Sequence, residues 1–273
     1  MIELFEQDIK TNDRQSSKGN QLKWKKNNTW YKADYSGYEG LSEFVVSELL
    51  KLSSLKKSEY VSYNPIEISY KSNIFNGVAS DNFLRDGWQI VTLEKLFLNY
   101  YGKSLNTALW TISQTEERLK FLVQNVEMIT GLREFGKYMN KILTIDMLFL
   151  NEDRHTHNLA VLMNEKQEFD YCPIFDNGAS LLADTKMDYP MNMNVYNLMP
   201  TVKAKTFSTD FLEQAEISEM LYHNNITFYF TNNDVSNILS STKANIYPIE
   251  VRNRVQTIIF EQMRKYSYLF SKR

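Results

Sequence analysis

Alternating apolar and polar positions near the start of the chain predict a β-hairpin. Residues 20–26 read NQLKWKK and residues 28–34 read NTWYKAD, with Asn27 and Asn28 at the turn between them. Period-two alternation is typical of strands that bury one face, and asparagine favours tight turns. The first two elements are therefore expected to be paired strands.

A helix and further strands are expected next. In residues 36–53 the apolar side chains recur at helical spacing, and Ser36 or Gly37 marks the entry to the helix. Residues 59–80 are rich in Tyr, Val and Ile with turn residues between them, which predicts two or three short strands. The order up to this point is strand, strand, helix, strand, strand.

Helical patterns dominate the remainder of the chain. Amphipathic segments predict helices near residues 92–105, 113–130, 132–150, 210–222, 233–241 and 248–270. Two short strands are expected among them, at 159–163 and 171–175. The predicted fold class is α+β, with a small β-rich N-terminal lobe over 1–72 and a helical C-terminal lobe over 73–273. A cleft between two such lobes is a common ligand site.

Composition narrows the class of protein. The chain has 273 residues, 43% of them apolar and 14% aromatic, with a net charge of −2. This balance disfavours disorder and general binding to nucleic acid or membrane surfaces. The one cysteine, Cys172, excludes an intrachain disulfide and zinc sites built on cysteine pairs. No apolar run approaches the roughly 20 residues that span a bilayer, and the N-terminus lacks a secretory pattern. We expect a cytoplasmic protein that contacts neither membrane nor nucleic acid directly.

A polar loop follows the predicted helix that ends near Leu150. Residues 151–162 read NEDRHTHNLAVL, so Asp153 and Asn158 lie five residues apart, just before an apolar strand. Eighteen residues after Asn158, Asp176 opens the segment DNGAS behind the next predicted strand. If the two strands pair as a hairpin, Asn158 and Asp176 are expected to lie side by side.

These side chains suit phosphoryl transfer. Mg²⁺ prefers hard oxygen ligands, and Asn158 and Asp176 each offer one, while Asp153 could accept a proton from an attacking hydroxyl. Protein kinases use a loop Asp, an Asn five residues later and a metal-binding Asp after a short hairpin. Two other interpretations stay open. One is a plain polar turn, and the other is a metal hydrolase that uses His155 and His157 and needs a third nitrogen ligand.

A kinase also needs a lysine on an N-terminal strand and an acidic residue on the following helix. Lys32 lies in the second predicted strand, and Glu43 follows eleven residues later in the first turns of the predicted helix. We expect Lys32 to bind the nucleotide phosphates and Glu43 to hold the lysine in place. Glu39 and Glu48 are competing candidates for the second role.

The motifs DRHTHN, FDNGAS and WYKAD together resemble those of the HipA-like serine/threonine kinases. The family's catalytic-loop, metal-binding and phosphate-binding positions are matched, in that order, by Asp153, Arg154, His155, Asn158, Asp176 and Lys32. The likeness runs from about residue 15 to at least residue 185, and it implies a bilobal protein-kinase-like fold related to the lipid kinases. Larger members carry an extra N-terminal subdomain, so we expect a short form that holds the kinase core alone. His155 is expected to brace the loop by hydrogen bonding.

The resemblance implies ATP and Mg²⁺ as cofactors. The position of the phosphate loop holds a single glycine where kinases often have several, and its backbone N–H groups could cradle phosphate; the residues are Ser16, Ser17, Lys18, Gly19 and Asn20. Adenine is expected against the interlobe linker, near Glu67, Ile68 and Tyr70.

The implied function is an ATP- and Mg²⁺-dependent kinase that acts on a serine or threonine of a protein substrate. The family often works in toxin–antitoxin pairs, so an antitoxin, or a protein like the missing N-terminal subdomain, is an expected partner. Whether the chain is a toxin or phosphorylates itself is left open. Two alternatives are a catalytically weak nucleotide-binding module that acts through a partner, and a kinase for a small molecule or a lipid.

Overall fold

The structure, a computed structural model, describes residues 1–9 and 21–271. Contacts within the chain divide it into two compact units. The first unit comprises Met1–Phe83, Phe175–Val202 and the chain from Phe228 onward, and the second comprises Leu84–Ile174 and Lys203–Thr227. The boundary that we predicted at residue 72 falls inside the first unit, in a turn between two strands.

The first unit contains a five-stranded sheet. Its strands are β1 (Ile2–Glu3), β2 (Lys23–Lys26), β3 (Thr29–Ala33), β4 (Asn64–Tyr70) and β5 (Asn73–Asp81), in the spatial order β1-β4-β5-β3-β2. β1 runs parallel to β4, and all other neighbours are antiparallel. The predicted β2–β3 hairpin is confirmed: Lys26 pairs with Thr29, and Asn27 at the turn has a left-handed φ of 54°. Asparagine tolerates that conformation better than most residues.

Side chains on the two faces of β3 have different surroundings. Tyr31 and Ala33 belong to an apolar cluster in which the ring of Trp24 lies 5.3 Å from that of Tyr70 in an edge-on arrangement. Because successive side chains of a strand point to opposite faces, Lys32 points away from this cluster. It faces α1 (Glu39–Leu50), which packs against β4 and β5.

Helix α1 is buried almost all round, which explains why its apolar pattern is broader than one stripe. Its first turn approaches the sheet closely. A Cβ added to Gly40 would lie 2.5 Å from the Tyr247 hydroxyl and 2.9 Å from the carbonyl carbon of Gly77 in β5. The other helices of this unit are α6 (Val195–Leu198), α8 (Asn232–Leu239) and α9 (Ile249–Lys265).

The second unit combines a small sheet with five helices among its described residues. The antiparallel strands β6 (Trp88–Thr92), β7 (Ala160–Asn164) and β8 (Phe169–Tyr171) lie in the order β6-β7-β8. The helices are α2 (Leu93–Tyr101), α3 (Leu105–Thr111), α4 (Thr115–Thr130), α5 (Phe135–Phe149) and α7 (Phe211–Tyr222). α5 and α7 pack together, and the buried amide of Asn140 donates to Ser218 across that contact at 2.9 Å.

Most predicted elements are confirmed, and the differences have local causes. The strand predicted at 171–175 lies at Phe169–Tyr171 instead, where Phe169 pairs with Met163. Pro173 follows, and a proline without an N–H cannot extend such a ladder. β1, β6 and α3 were not predicted, and α9 ends at Lys265 rather than near residue 270. None of the helices within the described residues is long and apolar enough to cross a membrane.

The segment that we expected to be a linker is strand β4. Glu67 and Ile68 pair with β5, and Ile68 pairs with Ile2 of β1 on the other side. Ile68 is fully buried, and the Tyr70 ring packs on Trp24. Because β5 and β1 occupy both sides of this strand, the linker prediction is wrong and the basis for placing adenine there is removed.

Candidate functional site

A lysine in the first unit bridges two carboxylates. Lys32 Nζ lies 2.7 Å from Glu43 Oε1 and 2.8 Å from Asp176 Oδ1. The second oxygen of Glu43 accepts the backbone N–H of Asn177 at 2.9 Å, and Lys32 Nζ lies 5.4 Å from the centre of the Tyr63 ring. We call Lys32, Glu43 and Asp176 the lysine–carboxylate cluster.

Three separate elements build the cluster. Lys32 comes from β3, and Glu43 comes from the facing side of α1, at the second turn of that helix. Asp176 has a left-handed φ of 63°. The backbone that follows it is hydrogen-bonded to α1. There the Ser42 hydroxyl donates to the carbonyl of Ser180 at 3.0 Å. Unusual backbone conformations of this kind concentrate at functional sites.

Burial and the neighbouring charges together set the pKa values of the side chains in this cluster. The side chains of Glu43, Lys32 and Asp176 are 2%, 16% and 22% exposed, so Asp176 and Lys32 retain some access to solvent. Burial opposes the charged form of Lys32, but the charges of Asp176 and Glu43 outweigh it and hold the pKa of Lys32 well above its ordinary value. Burial also raises the pKa of Glu43, against the attraction of Lys32. The lysine is therefore a permanent cation beside a partly exposed carboxylate.

The polar loop of the second unit begins where α5 ends. Leu150 adopts a left-handed φ of 56° and closes the helix, and residues 151–158 form the loop before β7. The amide nitrogen of Asn158 donates to the backbone carbonyl of Asp153 at 2.8 Å. The Asp153 carboxylate lies 3.5 Å from that same nitrogen, 3.5 Å from Lys205 Nζ and 3.9 Å from His155 Nε2.

Arg154 anchors this loop to the core. Its guanidinium contacts both oxygens of Asp146 on α5, at 3.0 and 3.2 Å through Nε, and both side chains are almost completely buried. Burial raises the pKa of Asp146, while Arg154 and Asn151 favour its carboxylate form. A second anchor is the Thr156 hydroxyl, which donates at 2.8 Å to Glu94 of α2. These contacts fix the backbone on both sides of Asp153 and His155.

The structure brings the predicted residues together in two groups. Lys32, Glu43 and Asp176 meet within the first unit, and Asp153, His155 and Asn158 meet within the second. The expected phosphate-loop residues Ser16, Ser17, Lys18, Gly19 and Asn20 lie outside the described residues.

Glu39 and Glu48, the competing candidates for the role of Glu43, have other partners. Glu39 accepts the backbone N–H groups of Ser36 and Gly37, and Glu48 pairs with Lys51 on the surface. Glu43 is therefore the acid of α1 that contacts Lys32, as predicted.

Sequence reasoning missed several residues of these groups. Asp146 offered a signal, since it is an acid within the apolar run TIDMLFL of a predicted helix. Such a residue is rarely buried without a partner. Tyr63, Asn177 and Lys205 carry no comparable signal, because their neighbours in space are remote in sequence.

Two of the predicted side chains, one in each unit, offer oxygen donors of the kind that suits Mg²⁺. Asp176 offers a partly exposed carboxylate, and the hydrogen bond from the Asn158 nitrogen to Asp153 turns its amide oxygen away from that contact. Both are hard oxygen donors of the kind that Mg²⁺ binds. The histidine pair has no such support: no group of three or more His, Cys, Asp or Glu side chains that could hold a metal occurs among residues 1–9 and 21–271.

Comparison with solved structures identifies the fold of this chain. The crystal structure of the Helicobacter pylori proinflammatory kinase CtkA is similar over 98% of this chain and 96% of its own, with a TM-score of 0.61 and 18% identity. The HipA–HipB toxin–antitoxin complex of Shewanella oneidensis MR-1 with operator DNA matches with a TM-score of 0.45 and 13% identity, over 96% of this chain and 63% of the matched one. No family model and no curated protein matches the sequence. The chain therefore has the fold of the CtkA kinase, which confirms the predicted fold class.

Proposed function

We propose that this chain is an ATP- and Mg²⁺-dependent kinase that phosphorylates serine or threonine residues of a protein. The observation that carries this proposal is the lysine–carboxylate cluster, because a strand lysine held by a helix glutamate is the arrangement with which kinases bind nucleotide phosphates. The likeness of fold to the CtkA kinase supports it. The spacing of Asp153, Asn158 and Asp176 supports it independently.

The proposal gives each of these residues a role in the reaction. Lys32 binds phosphate oxygens of ATP, and Glu43 keeps its ammonium group oriented toward them. Asp153 accepts the proton of the acceptor hydroxyl while that oxygen forms the new bond to the γ-phosphorus. The bond to the β–γ bridging oxygen breaks, and ADP leaves with the electron pair. Asn158 holds the backbone of Asp153 in place.

Asn158 and Asp176 are the residues that would hold Mg²⁺. When bound, the metal neutralises charge on the phosphates. Catalysis of this kind consists mainly of positioning and charge stabilisation. We therefore expect loss of either aspartate to reduce kcat far more than loss of a single binding contact.

The direct test measures transfer from γ-labelled ATP by the purified chain with Mg²⁺ and a mixture of protein acceptors. Asp153→Ala and Asp176→Ala should each lose activity by about 10²- to 10⁴-fold. Asp86→Asn is the matched control, because Asp86 is an exposed loop residue outside both groups. Equal phosphate transfer by the wild type and both alanine variants would contradict the proposal.

The acceptor is identified by where the label goes. Acid hydrolysis of labelled protein should release phosphoserine or phosphothreonine, on added proteins or on the chain itself. Label in a small molecule or a lipid fraction would instead support the second kind of kinase. Binding of ATP and Mg²⁺ without transfer to any acceptor would support a nucleotide-binding module that acts through a partner such as an antitoxin.

A further inference from the structure

A short loop of the second unit projects one lysine from an otherwise anchored backbone. We call residues 203–209 the Lys205 loop. Thr206 is buried and its hydroxyl donates to the carbonyl of Arg154 at 2.5 Å, while Phe207 is fully buried. The carbonyl of Phe207 accepts from Arg118 at 2.7 Å. Between two buried neighbours, the Lys205 side chain is 45% exposed.

The anchoring places the lysine at Asp153. Lys205 Nζ lies 3.5 Å from Asp153 Oδ1, and this carboxylate is the one hydrogen-bond partner that the described residues provide for it. An ammonium group has three donors, and 3.5 Å is at the long limit of a hydrogen bond. The contact therefore orients the lysine and leaves donors for a further anion.

The lysine that contacts Asp153 lies outside the polar loop of residues 151–158. Within residues 151–158 the permanent cation is Arg154, whose guanidinium is directed at buried Asp146. Lys205, 52 residues further along the chain than Asp153, places its ammonium group 3.5 Å from the Asp153 carboxylate.

We propose that Lys205 is a catalytic residue that binds the phosphoryl group while it is transferred to the acceptor oxygen held at Asp153. This inference rests on the proposed kinase function and adds a cation to it. The transferred group carries negative charge on its three equatorial oxygens. It approaches an aspartate that is itself negative, so a cation beside that aspartate lowers the repulsion between them.

Lysine suits this role because it is a compact point charge on a flexible stem. Its proton stays on the nitrogen throughout. The proton of the acceptor hydroxyl goes to Asp153, as in the reaction above, so Lys205 adds electrostatic stabilisation and takes no part in the bond changes. Removal of one such donor in comparable sites costs about 10²- to 10³-fold in kcat.

The kinetic test compares Lys205→Met and Lys205→Arg with Lys203→Ala. Lys203 belongs to the same loop, is exposed, and lies outside the groups that form the proposed site. We expect Lys205→Met to lower kcat by about 10²-fold with a KM for ATP within about threefold of the wild type. Lys205→Arg should recover part of kcat because it restores the charge, and Lys203→Ala should match the wild type.

A binding test separates contact with the phosphoryl group from simple positioning of Asp153. ADP with Mg²⁺, with and without aluminium fluoride, is titrated by calorimetry in the presence of an acceptor. Lys205→Met should weaken the aluminium fluoride complex, which mimics the transferring phosphoryl group, by at least tenfold, with ADP affinity unchanged. Equal weakening of both complexes, or of neither, would overturn the assignment.

The two proposals fail in different ways. If the wild type is active and Lys205→Met is equally active, the role of Lys205 is overturned but the proposed kinase function is not. Absence of transfer by the wild type would overturn the kinase function and, with it, this inference. Thermal denaturation of each variant identifies any loss of kcat that comes from unfolding.

Discussion

At the scale of single residues, the ion pairs of this protein differ in how much they are expected to contribute to stability, because some are buried and others are exposed. The side chain of Glu43 is 2% exposed and contacts both Lys32 and the Asn177 N–H, whereas Glu48 pairs with Lys51 on the surface of the same helix. Breaking a buried pair leaves an uncompensated charge and costs about 3–5 kcal/mol. Exposed pairs contribute about 0–1 kcal/mol.

Glu43→Ala is therefore expected to lower the free energy of unfolding by about 3 kcal/mol, because Lys32 and the Asn177 N–H both lose an acceptor. Glu48→Ala on the same helix should change it by less than about 1 kcal/mol. Urea denaturation of the two variants beside the wild type measures the difference. Equal stability of the two variants would show that the contact at Glu43 contributes little to folding.

A second residue gives the fold a pH dependence. Burial, together with the nearby charge of Glu39, raises the pKa of Asp34 to about 7 from an ordinary value of 3.8, although the Gly40 N–H and the Tyr247 hydroxyl favour its carboxylate. Between these two values the folded state binds more protons at Asp34 than the unfolded chain does. The contribution of Asp34 to stability is therefore full below about pH 4 and is lost as the pH rises to about 7.

Asp34→Asn should remove this dependence. At about pH 4 the variant and the wild type are expected to unfold at similar temperatures. At pH 8 the variant should be the more stable one, by up to a few kcal/mol, because each unit of pKa displacement is worth about 1.4 kcal/mol. Differential scanning calorimetry at both values measures this, with Asp86→Asn as the control. A gap between variant and wild type that does not widen with pH would contradict the assigned pKa.

At the scale of elements, close approach of backbones decides the position of α1 on the sheet. The helix meets β5 at Gly40, where a side chain would collide with the Tyr247 hydroxyl and with the backbone of Gly77. Gly102, which ends α2 with a φ of 67°, has open space around it. The first glycine is required by packing and the second by backbone conformation.

Gly40→Ala should therefore destabilise the fold by about 1–3 kcal/mol through overpacking, despite the better helix propensity of alanine. Tyr247→Phe removes the hydroxyl from the collision and should recover part of that loss. Gly102→Ala should cost about 1 kcal/mol and be insensitive to Tyr247→Phe, because the sites are independent. A double-mutant cycle measured by urea denaturation distinguishes the two cases, and additive effects at Gly40 and Tyr247 would exclude the packing explanation.

The elements that the sequence predicted well are those that depend on local pattern. The β2–β3 hairpin, α4 and α5 follow from periodicity, turn residues and a terminal glycine at Gly131. β1 and β6 were missed because they are short and gain their definition from the strands with which they pair. β4 was expected to contain a linker because an interlobe connection was assumed, and its pairing on both sides depends on partners elsewhere in the chain.

At the scale of the whole molecule, each unit is assembled from segments that are distant in sequence. Lys32 and Asp176 lie 144 residues apart and share a hydrogen bond, and Asn76 donates to Ile246 across 170 residues. A ligand that binds the folded state alone stabilises such an assembly by mass action, by about 2.7 kcal/mol at a hundredfold excess over its Kd.

ATP with Mg²⁺ is therefore expected to raise the melting temperature of the wild type by several degrees at saturating concentration. Lys32→Met should abolish the rise, and Lys51→Met, which alters a surface pair on α1, should retain it. Differential scanning fluorimetry with and without EDTA measures both effects. A rise that survives in Lys32→Met would place the nucleotide away from the lysine–carboxylate cluster.

The sequence by itself determined the features that depend on near neighbours: the hairpin, the long helices, and the loop in which Asp153 and Asn158 lie five residues apart. It also identified Lys32, Glu43 and Asp176 as candidates through their resemblance to a known pattern. Only the tertiary structure decided that Arg154 is directed at buried Asp146 and that Lys205 reaches Asp153. The physical reason is that burial and long-range electrostatic contacts depend on how distant segments pack, and periodicity along one segment carries no information about that packing.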